Sequence, residues 1–372
     1  MSYPGTLPHL ALIYDDAARL ADTPGLALER LSGKTLLLTG ASGYLAAYLA
    51  DTLVWLNDHV LTAPCHLLAL VRTPVARASR LGHLCERVDV TFLTQNVSAP
   101  IRLERCVDFI IHAASNASPQ KYLANPLDTM DANVLGTRQL LDLAREHRVA
   151  SFVFFSSAEI YGEVTQTVPI AEDYLGRIDP LNPRACYTES KRYGETLCAA
   201  YWRAFRVPVK IVRPFHIYGP GMRLDDGRVI ADFLRDRIAQ KPIRLLSGGT
   251  GVRAFCYISD ATIGFWQALL SEQNGEPFNI GNDAEPIAIR DLAQTIARIE
   301  RPELPVIIEQ THLPDYLRHS PTYVCPDLGK ARRELGYAPS VRLADGLQKT
   351  LAWHRVNLER NTDKSCNASW IS

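Results

Sequence analysis

Thr35-Leu36-Leu37-Leu38-Thr39-Gly40-Ala41-Ser42-Gly43-Tyr44-Leu45-Ala46 is the stretch on which the fold turns. The apolar run before Gly40 suits a strand buried on both faces, and Leu45 to Leu56 continues as a helix. Gly40 permits a tight turn where the strand ends. Gly43 lets the backbone come close to a ligand at the helix start, where free N–H groups favour an anion. Ala46 is small enough for helix and strand to pack tightly. A glycine turn between a buried strand and a helix describes a seat for the pyrophosphate of a dinucleotide, with Ser42, Tyr44 and Leu45 completing the turn.

Downstream, strands and helices alternate. The apolar segments His66 to Val71, Val88 to Leu93, Phe109 to His112, Phe152 to Ser156 and Val209 to Arg213 read as further strands. Helices fit Pro126 to Glu146 and Pro183 to Phe205. This alternation predicts a Rossmann-type α/β fold, a doubly wound parallel sheet. Beyond Tyr218-Gly219-Pro220 the pattern loosens into helices over Val229 to Gln240, Asp260 to Leu270, Ile289 to Glu300, Leu328 to Leu335 and Leu343 to Asn357, with short strands between. The expected division is a helical extension over 1–32, a dinucleotide-binding domain over 33–220, a smaller C-terminal α/β substrate lobe over 221–360 and a tail over 361–372. Segments of the lobe are free to return to the parent sheet. In the extension, Asp15 to Arg30 has helical spacing broken by Thr23-Pro24-Gly25, which suits one or two short helices used for packing or oligomer contact.

Lys plus Arg and Asp plus Glu each number 40 in the 372 residues, so the chain carries no electrostatic footprint for nucleic acid or an anionic membrane. No apolar run is long enough to span a bilayer, and the N-terminus lacks the pattern of a secretory signal. The eight cysteines are scattered and never form Cys-x-x-Cys, so neither a metal site nor a disulfide framework is expected, and a reducing cytoplasm is the expected location.

Tyr187 and Lys191 lie one helical turn apart on a common face. A phenol with an ordinary pKa near 10 needs a neighbouring cation to take up a proton at neutral pH, and Lys191 is placed to supply it. Ser156-Ser157 closes the fifth strand, where a hydroxyl aligns a substrate alcohol. Such a set moves a proton while a nicotinamide moves a hydride. NAD enzymes of this fold usually carry an acid after the second strand to hold the ribose; here Val71-Arg72-Thr73 has none. Arg72 either meets a 2′-phosphate, favouring NADP, or stacks on adenine and stays solvated. Asn96 suits an adenine contact, and Ala113 and Ala114 leave room for the cofactor beside the fourth strand.

With these pieces in order, the chain from about Lys34 to Arg355 resembles the extended short-chain dehydrogenase/reductase family of nucleotide-sugar epimerases, dehydratases and decarboxylases. The markers are Thr39-Gly40-Ala41-Ser42-Gly43, His112-Ala113-Ala114-Ser115, Asn133 with Gly136-Thr137, Ser156-Ser157-Ala158-Glu159-Ile160-Tyr161-Gly162, Tyr187 to Lys191, Arg213-Pro214-Phe215-His216-Ile217-Tyr218-Gly219-Pro220, and Phe278-Asn279-Ile280-Gly281-Asn282. Leu224-Asp225-Asp226-Gly227-Arg228-Val229, Arg253-Ala254-Phe255-Cys256-Tyr257-Ile258-Ser259-Asp260, His112 to Pro119 and Arg184-Ala185-Cys186-Tyr187 look most like the UDP-glucuronate decarboxylases within it.

The resemblance implies transient oxidation of a sugar C4 hydroxyl by bound NAD, followed by decarboxylation, with 4-epimerisation or dehydration as the alternatives. It implies catalytic roles for Tyr187, Lys191, Ser157 and Glu159. Val97, Ser115, Asn133 and Lys191 join the cofactor contacts, and Ser115, Glu159, Arg213, His216, Arg228, Arg253 and Arg318 face the nucleotide sugar. It also implies a homodimer through Pro126 to Glu146 and Pro183 to Phe205. The chain departs from the pattern in two places. Ala158 replaces the aspartate that dehydratases use as the acid for water loss, and resembles instead the 4-epimerase motif. His216 stands where asparagine is common, facing the substrate phosphates. A regulatory protein that only binds a dinucleotide is the competing class, and the retention of Ser157, Glu159, Tyr187 and Lys191 argues against it.

Overall fold

The computed structural model describes residues 7–164, 167–309 and 322–363. Its centre is a parallel sheet. Strands β1 (Thr35–Thr39), β2 (His66–Val71), β3 (Val90–Thr94), β4 (Phe109–His112), β5 (Ser151–Phe155) and β6 (Val209–Pro214) are joined by a seventh from the lobe, Glu276–Ile280, numbered β11 in chain order. The spatial order is β11-β6-β5-β4-β1-β2-β3, and every neighbour is parallel. The order reverses between β1 and β4, so a crevice opens beyond their carboxyl ends, where ligands bind in open α/β sheets.

Helix α2 (Tyr44–His59) covers one face together with α1 (Pro8–Ala21) and α8 (Ile258–Leu270). The other face is covered by α5 (Thr137–His147) and α6 (Ala185–Phe205). β1 is buried at all five positions, as its unbroken apolar run requires. The short α3 (Pro119–Ala124) and α4 (Pro126–Asp131) precede α5.

Two expectations change. The helix expected from Pro126 to Glu146 is two helices, α4 and α5, joined by a π-turn over Ala132–Gly136. The N-terminal helix begins earlier than Asp15, at Pro8, and a separate 3-10 turn covers Leu28–Leu31. The lobe shares a core with the dinucleotide-binding half: β11 extends the sheet beside β6, and Trp266, Phe265 and Ile258 of α8 pack in the same cluster as Leu36, Leu38 and Leu53. The rest of the lobe carries β7 (Ile217–Tyr218), α7 (Val229–Ile238), β8 (Ile243–Leu245), β9 (Val252–Ala254), β10 (Cys256–Tyr257) and a C-terminal helix (Leu343–Asp363). β7 pairs with β10, which sets His216 one residue before that pairing and Arg253 on the neighbouring β9.

Candidate active site

The turn after β1 has the shape its sequence suggests. Gly40 has φ +66°, and a Cβ there would stand 2.6 Å from the Cα of Ala114. Only glycine lets the β1 and β4 loops meet this closely. Gly43 is the N-cap of α2, and no side chain caps the first turn. Its free N–H groups leave a place for an anion. Polar atoms without a hydrogen-bond partner lie nearby in sequence and fold: Ser115 Oγ after β4, Asn133 Oδ1 in the π-turn and Ser156 Oγ after β5. Buried polar atoms are normally paired, so these residues fit a dinucleotide that supplies the missing partners. Asn133 also donates from Nδ2 to Ser190 Oγ at 2.9 Å, tying the π-turn to α6.

Other residues expected at the cofactor are arranged unevenly. Tyr44 has a buried hydroxyl, and burial holds its pKa well above the ordinary value. Leu45, Ala113 and Ala114 are partly exposed, and Ser42 is exposed at the turn. Arg72 and Asn96 are exposed at the carboxyl ends of β2 and β3; Asn96 accepts the Ser98 N–H at 3.1 Å. Val97 is buried in the cluster with Leu37 and Ile110.

α6 delivers the tyrosine and lysine. Gly194 makes this possible: a Cβ there would stand 2.4 Å from Phe154 Cζ, so α6 lies directly on β5. Lys191 is buried, and its Nζ donates to the Phe155 carbonyl at 2.6 Å. Burial pulls its pKa down to about 7, against the opposing charge of Glu195. Tyr187 is 4% exposed. Burial first, then the charge of Glu159, pushes its pKa up to about 12, while a hydrogen bond with Ser157 and the charge of Arg228 lower it. Lys191 Nζ sits 5.9 Å from the centre of the Tyr187 ring, and a second cation, Arg228 from the loop before α7, also lowers the phenol's pKa.

Ser157 and Glu159 are brought together after β5, where Ser157 Oγ accepts the Glu159 N–H at 3.1 Å. Glu159 Oε2 accepts from Arg184 Nη2 at 2.9 Å and from the Tyr122 hydroxyl at 3.2 Å. Tyr122 is fully buried and lies parallel to Tyr187, with centroids 5.0 Å apart and planes 8° apart. Sequence reasoning assigned no role to Tyr122, which no motif marks, or to Arg184, which sits inside the quoted Arg-Ala-Cys-Tyr. Its place just before α6 was the available signal.

Positive charge gathers on the lobe side. Arg228 pairs with Asp226 at 3.0 Å and donates to the Ala117 carbonyl at 3.2 Å. Arg253 is buried on β9, and burial together with the charge of Arg184 pulls its pKa down to about 10. His216 is half-buried, in a left-handed conformation with φ +41°. Burial, Arg253 and Arg228 pull its pKa down to about 3, so it is a neutral imidazole, and its Nε2 has no hydrogen-bond partner. Arg213 is corrected. Its Nε and Nη2 pair with Glu195 at 2.9 and 2.6 Å, and its Nη1 donates to the Tyr161 hydroxyl and the Glu172 carbonyl. That fork is spent on scaffolding, because an arginine on a buried strand must satisfy its donors internally. Arg318 lies outside the described residues.

Comparison with known proteins shows the family to which the chain belongs. The model of the NAD dependent epimerase/dehydratase family matches residues 36–281. UDP-glucuronic acid decarboxylase 1 of Xenopus tropicalis is 32% identical over 90% of this chain and 76% of its own length. UDP-glucuronic acid decarboxylase 1 of Arabidopsis thaliana is 33% identical over 88% and 71%. Among solved structures, the UDP-glucuronic acid 4-epimerase of Bacillus cereus, in complex with UDP-glucuronic acid and NAD, has a TM-score of 0.72 at 24% identity, covering 87% of this chain and 99% of its own. The dTDP-glucose 4,6-dehydratase of Streptomyces venezuelae, with NAD bound, has a TM-score of 0.73 at 24% identity, covering 88% and 98%.

Proposed function

The chain belongs to the NAD-dependent epimerase/dehydratase family, and from that premise we propose that it oxidises the C4 hydroxyl of UDP-glucuronate and releases its C6 carboxylate as CO2. The observation that carries the carboxylate is the meeting of two guanidinium groups, half-buried Arg184, paired with Glu159 at 2.9 Å, and buried Arg253, on which the charge of Arg184 acts. An anionic sugar relieves that repulsion, and a planar guanidinium suits a carboxylate.

Gly40, Gly43, Ser115, Asn133 and Ser156 would hold the dinucleotide, which when bound supplies a reversible hydride acceptor at C4. Tyr187 takes the proton of the C4 hydroxyl, and Ser157, bonded to Tyr187, aligns that hydroxyl. A ketone at C4 stands β to the C6 carboxylate. The C5–C6 bond then breaks, CO2 leaves, and its electron pair enters the C4–C5 enolate. Protonation at C5 and return of hydride and proton at C4 leave an alcohol, so the cycle is redox-neutral. His216, Arg228 and Arg253 are proposed to meet the diphosphate and carboxylate.

Ala158, which suits the epimerase motif, supports a second reading as a 4-epimerase of the same substrate. Product mass after incubation with UDP-glucuronate decides: loss of CO2 is expected. Unchanged mass with inverted C4 selects the epimerase, and no turnover of UDP-glucuronate, UDP-glucose, dTDP-glucose or GDP-mannose overturns both.

Tolerance of NADP is proposed from exposed Arg72 and the missing acid after β2. Titration of NAD against NADP checks it, with comparable or tighter NADP binding expected. A preference for NAD that survives Arg72→Ala removes the idea. A homodimer through α4, α5 and α6 is the proposed assembly, and the cytoplasm the proposed location. The described cysteines are all free, and among the described residues no helix is long and apolar enough to cross a membrane.

A further inference from the structure

We propose that Tyr122 is a positioning residue for proton transfer at Tyr187, fixing the plane of the catalytic ring by stacking while its hydroxyl moderates the charge of Glu159. The inference rests on Tyr187 being the acid/base of the proposed reaction.

Three contacts carry it. First, the two rings are parallel within 8°, at 5.0 Å between centroids, and Tyr122 is fully buried. A tyrosine in a helix can still swing about its side-chain torsions unless something packs on its face. Tyr122, arriving from the separate element α3, is that surface. Second, the Tyr122 hydroxyl donates to Glu159 Oε2, the same oxygen that takes Arg184 Nη2. One carboxylate oxygen thus has two donors from two elements. Third, Glu159 is the group whose charge most opposes ionisation of Tyr187 after burial itself. Whatever neutralises Glu159 therefore eases proton loss at Tyr187.

Burial and Glu159 both hold the Tyr122 phenol well above its ordinary pKa, so it remains a donor throughout the working range. The groups acting on Tyr187 come from every side: Glu159 and Ser157 after β5, Arg228 before α7, Tyr122 from α3, and Lys191 on its own helix. Arg184, just before α6, acts through Glu159. Lys191 is turned to the Phe155 carbonyl, so Arg228 and the Tyr122–Glu159–Arg184 link set the field at the ring.

Two substitutions separate the two functions. Tyr122→Phe keeps the stacked ring and removes only the hydroxyl. Tyr122→Leu removes the ring. The assay is hydride transfer by NAD-loaded protein mixed with UDP-glucuronate, followed against pH, with calorimetric binding of UDP-glucuronate measured beside it.

For Tyr122→Phe the ascending limb of kcat/KM is expected to move up by about half to one pH unit, as a less neutralised carboxylate raises a neighbouring acid. For Tyr122→Leu, kcat is expected to fall roughly 10-fold through lost alignment, with binding changed by less than about threefold in both variants. An unmoved limb in Tyr122→Phe overturns the proposal, as does a loss confined to binding or KM. If Tyr122→Leu does not fold, the near-isosteric Tyr122→Phe decides alone. Wild-type protein that transfers no hydride from UDP-glucuronate defeats the functional reading, and this inference falls with it. An active wild type, an inactive Tyr187→Phe and an unshifted Tyr122→Phe defeat only the inference.

Discussion

Lys191 shows how much of a catalytic side chain's behaviour depends on what surrounds it. In an unfolded chain its amine titrates near the model value of 10.5; buried under β5 it titrates near 7. The folded pKa is the lower one, so between those values the unfolded chain binds more protons than the folded chain. Stability contributed by this group therefore rises with pH from about 7 to about 10.5. Below pH 7 both states carry the proton, and the full cost of a buried ammonium is present. That cost is at most about 5 kcal/mol on the scale of 1.36 kcal/mol per pKa unit. Lys191→Met removes the titration. In cofactor-free protein, the wild type should therefore gain stability relative to Lys191→Met as pH rises through this window. Denaturant melts of both proteins at several pH values measure the gap, and a gap that stays constant with pH contradicts the burial-driven shift.

At the level of elements, α1 packs outside the parallel sheet on the face that α2 and α8 cover. Its inner side carries Leu10, Ile13, Ala17 and Leu20, all buried against α2 and the lobe. Polar ties fasten it at both ends. Trp353 Nε1 donates to the His9 carbonyl at 2.8 Å, Asp16 accepts from Tyr48 at 2.6 Å, and Arg19 pairs with Asp260 at 2.8 Å. α1 thus joins α2, α8 and the C-terminal helix. Ile13 is completely buried, so Ile13→Ala should cost about 2–5 kcal/mol, the range for deleting a packed aliphatic side chain. Urea unfolding gives the value, and a cost below about 1 kcal/mol would mean that α1 does not pack as described.

The same elements show what the sequence could reveal. β1 and the Gly40 turn were legible because an unbroken apolar run followed by glycine has few other uses. Tyr187 and Lys191 were legible as a pair because four residues set them on one helix face, and Ser157 because it follows an apolar strand. The π-turn was not, since one extra residue per turn leaves the hydrophobic period of Pro126 to Glu146 nearly intact. Nor was the stacking of Tyr122 on Tyr187, or the spending of Arg213 on Glu195. Both depend on which elements the fold brings together across long sequence separations.

For the whole molecule, the outer surface of α4 and α6 is the notable feature. Leu127 is 73% exposed, Leu135 49%, Met130 39% and Tyr193 51%. These come from α4, the following π-turn and α6, elements that pack side by side through Asn133 and Ser190. Single exposed apolar side chains are ordinary, but several on adjoining elements mark a surface that another protein covers. A second copy of this chain is the proposed partner, because a self-complementary pair of helices closes with two-fold symmetry and leaves no further apolar face to propagate. The arrangement bears on catalysis, since α6 carries Tyr187 and Lys191 and the π-turn carries Asn133. A partner on their outer side would stiffen both. Sedimentation at micromolar concentration is expected to give a dimer. The double substitution Leu127→Arg with Leu135→Arg places four cations across the two-fold and should yield monomer. Arginine on an exposed surface leaves the fold itself intact, as unchanged circular dichroism would show. A wild type that sediments as a monomer, or a double variant that remains a dimer, rules this face out as the interface.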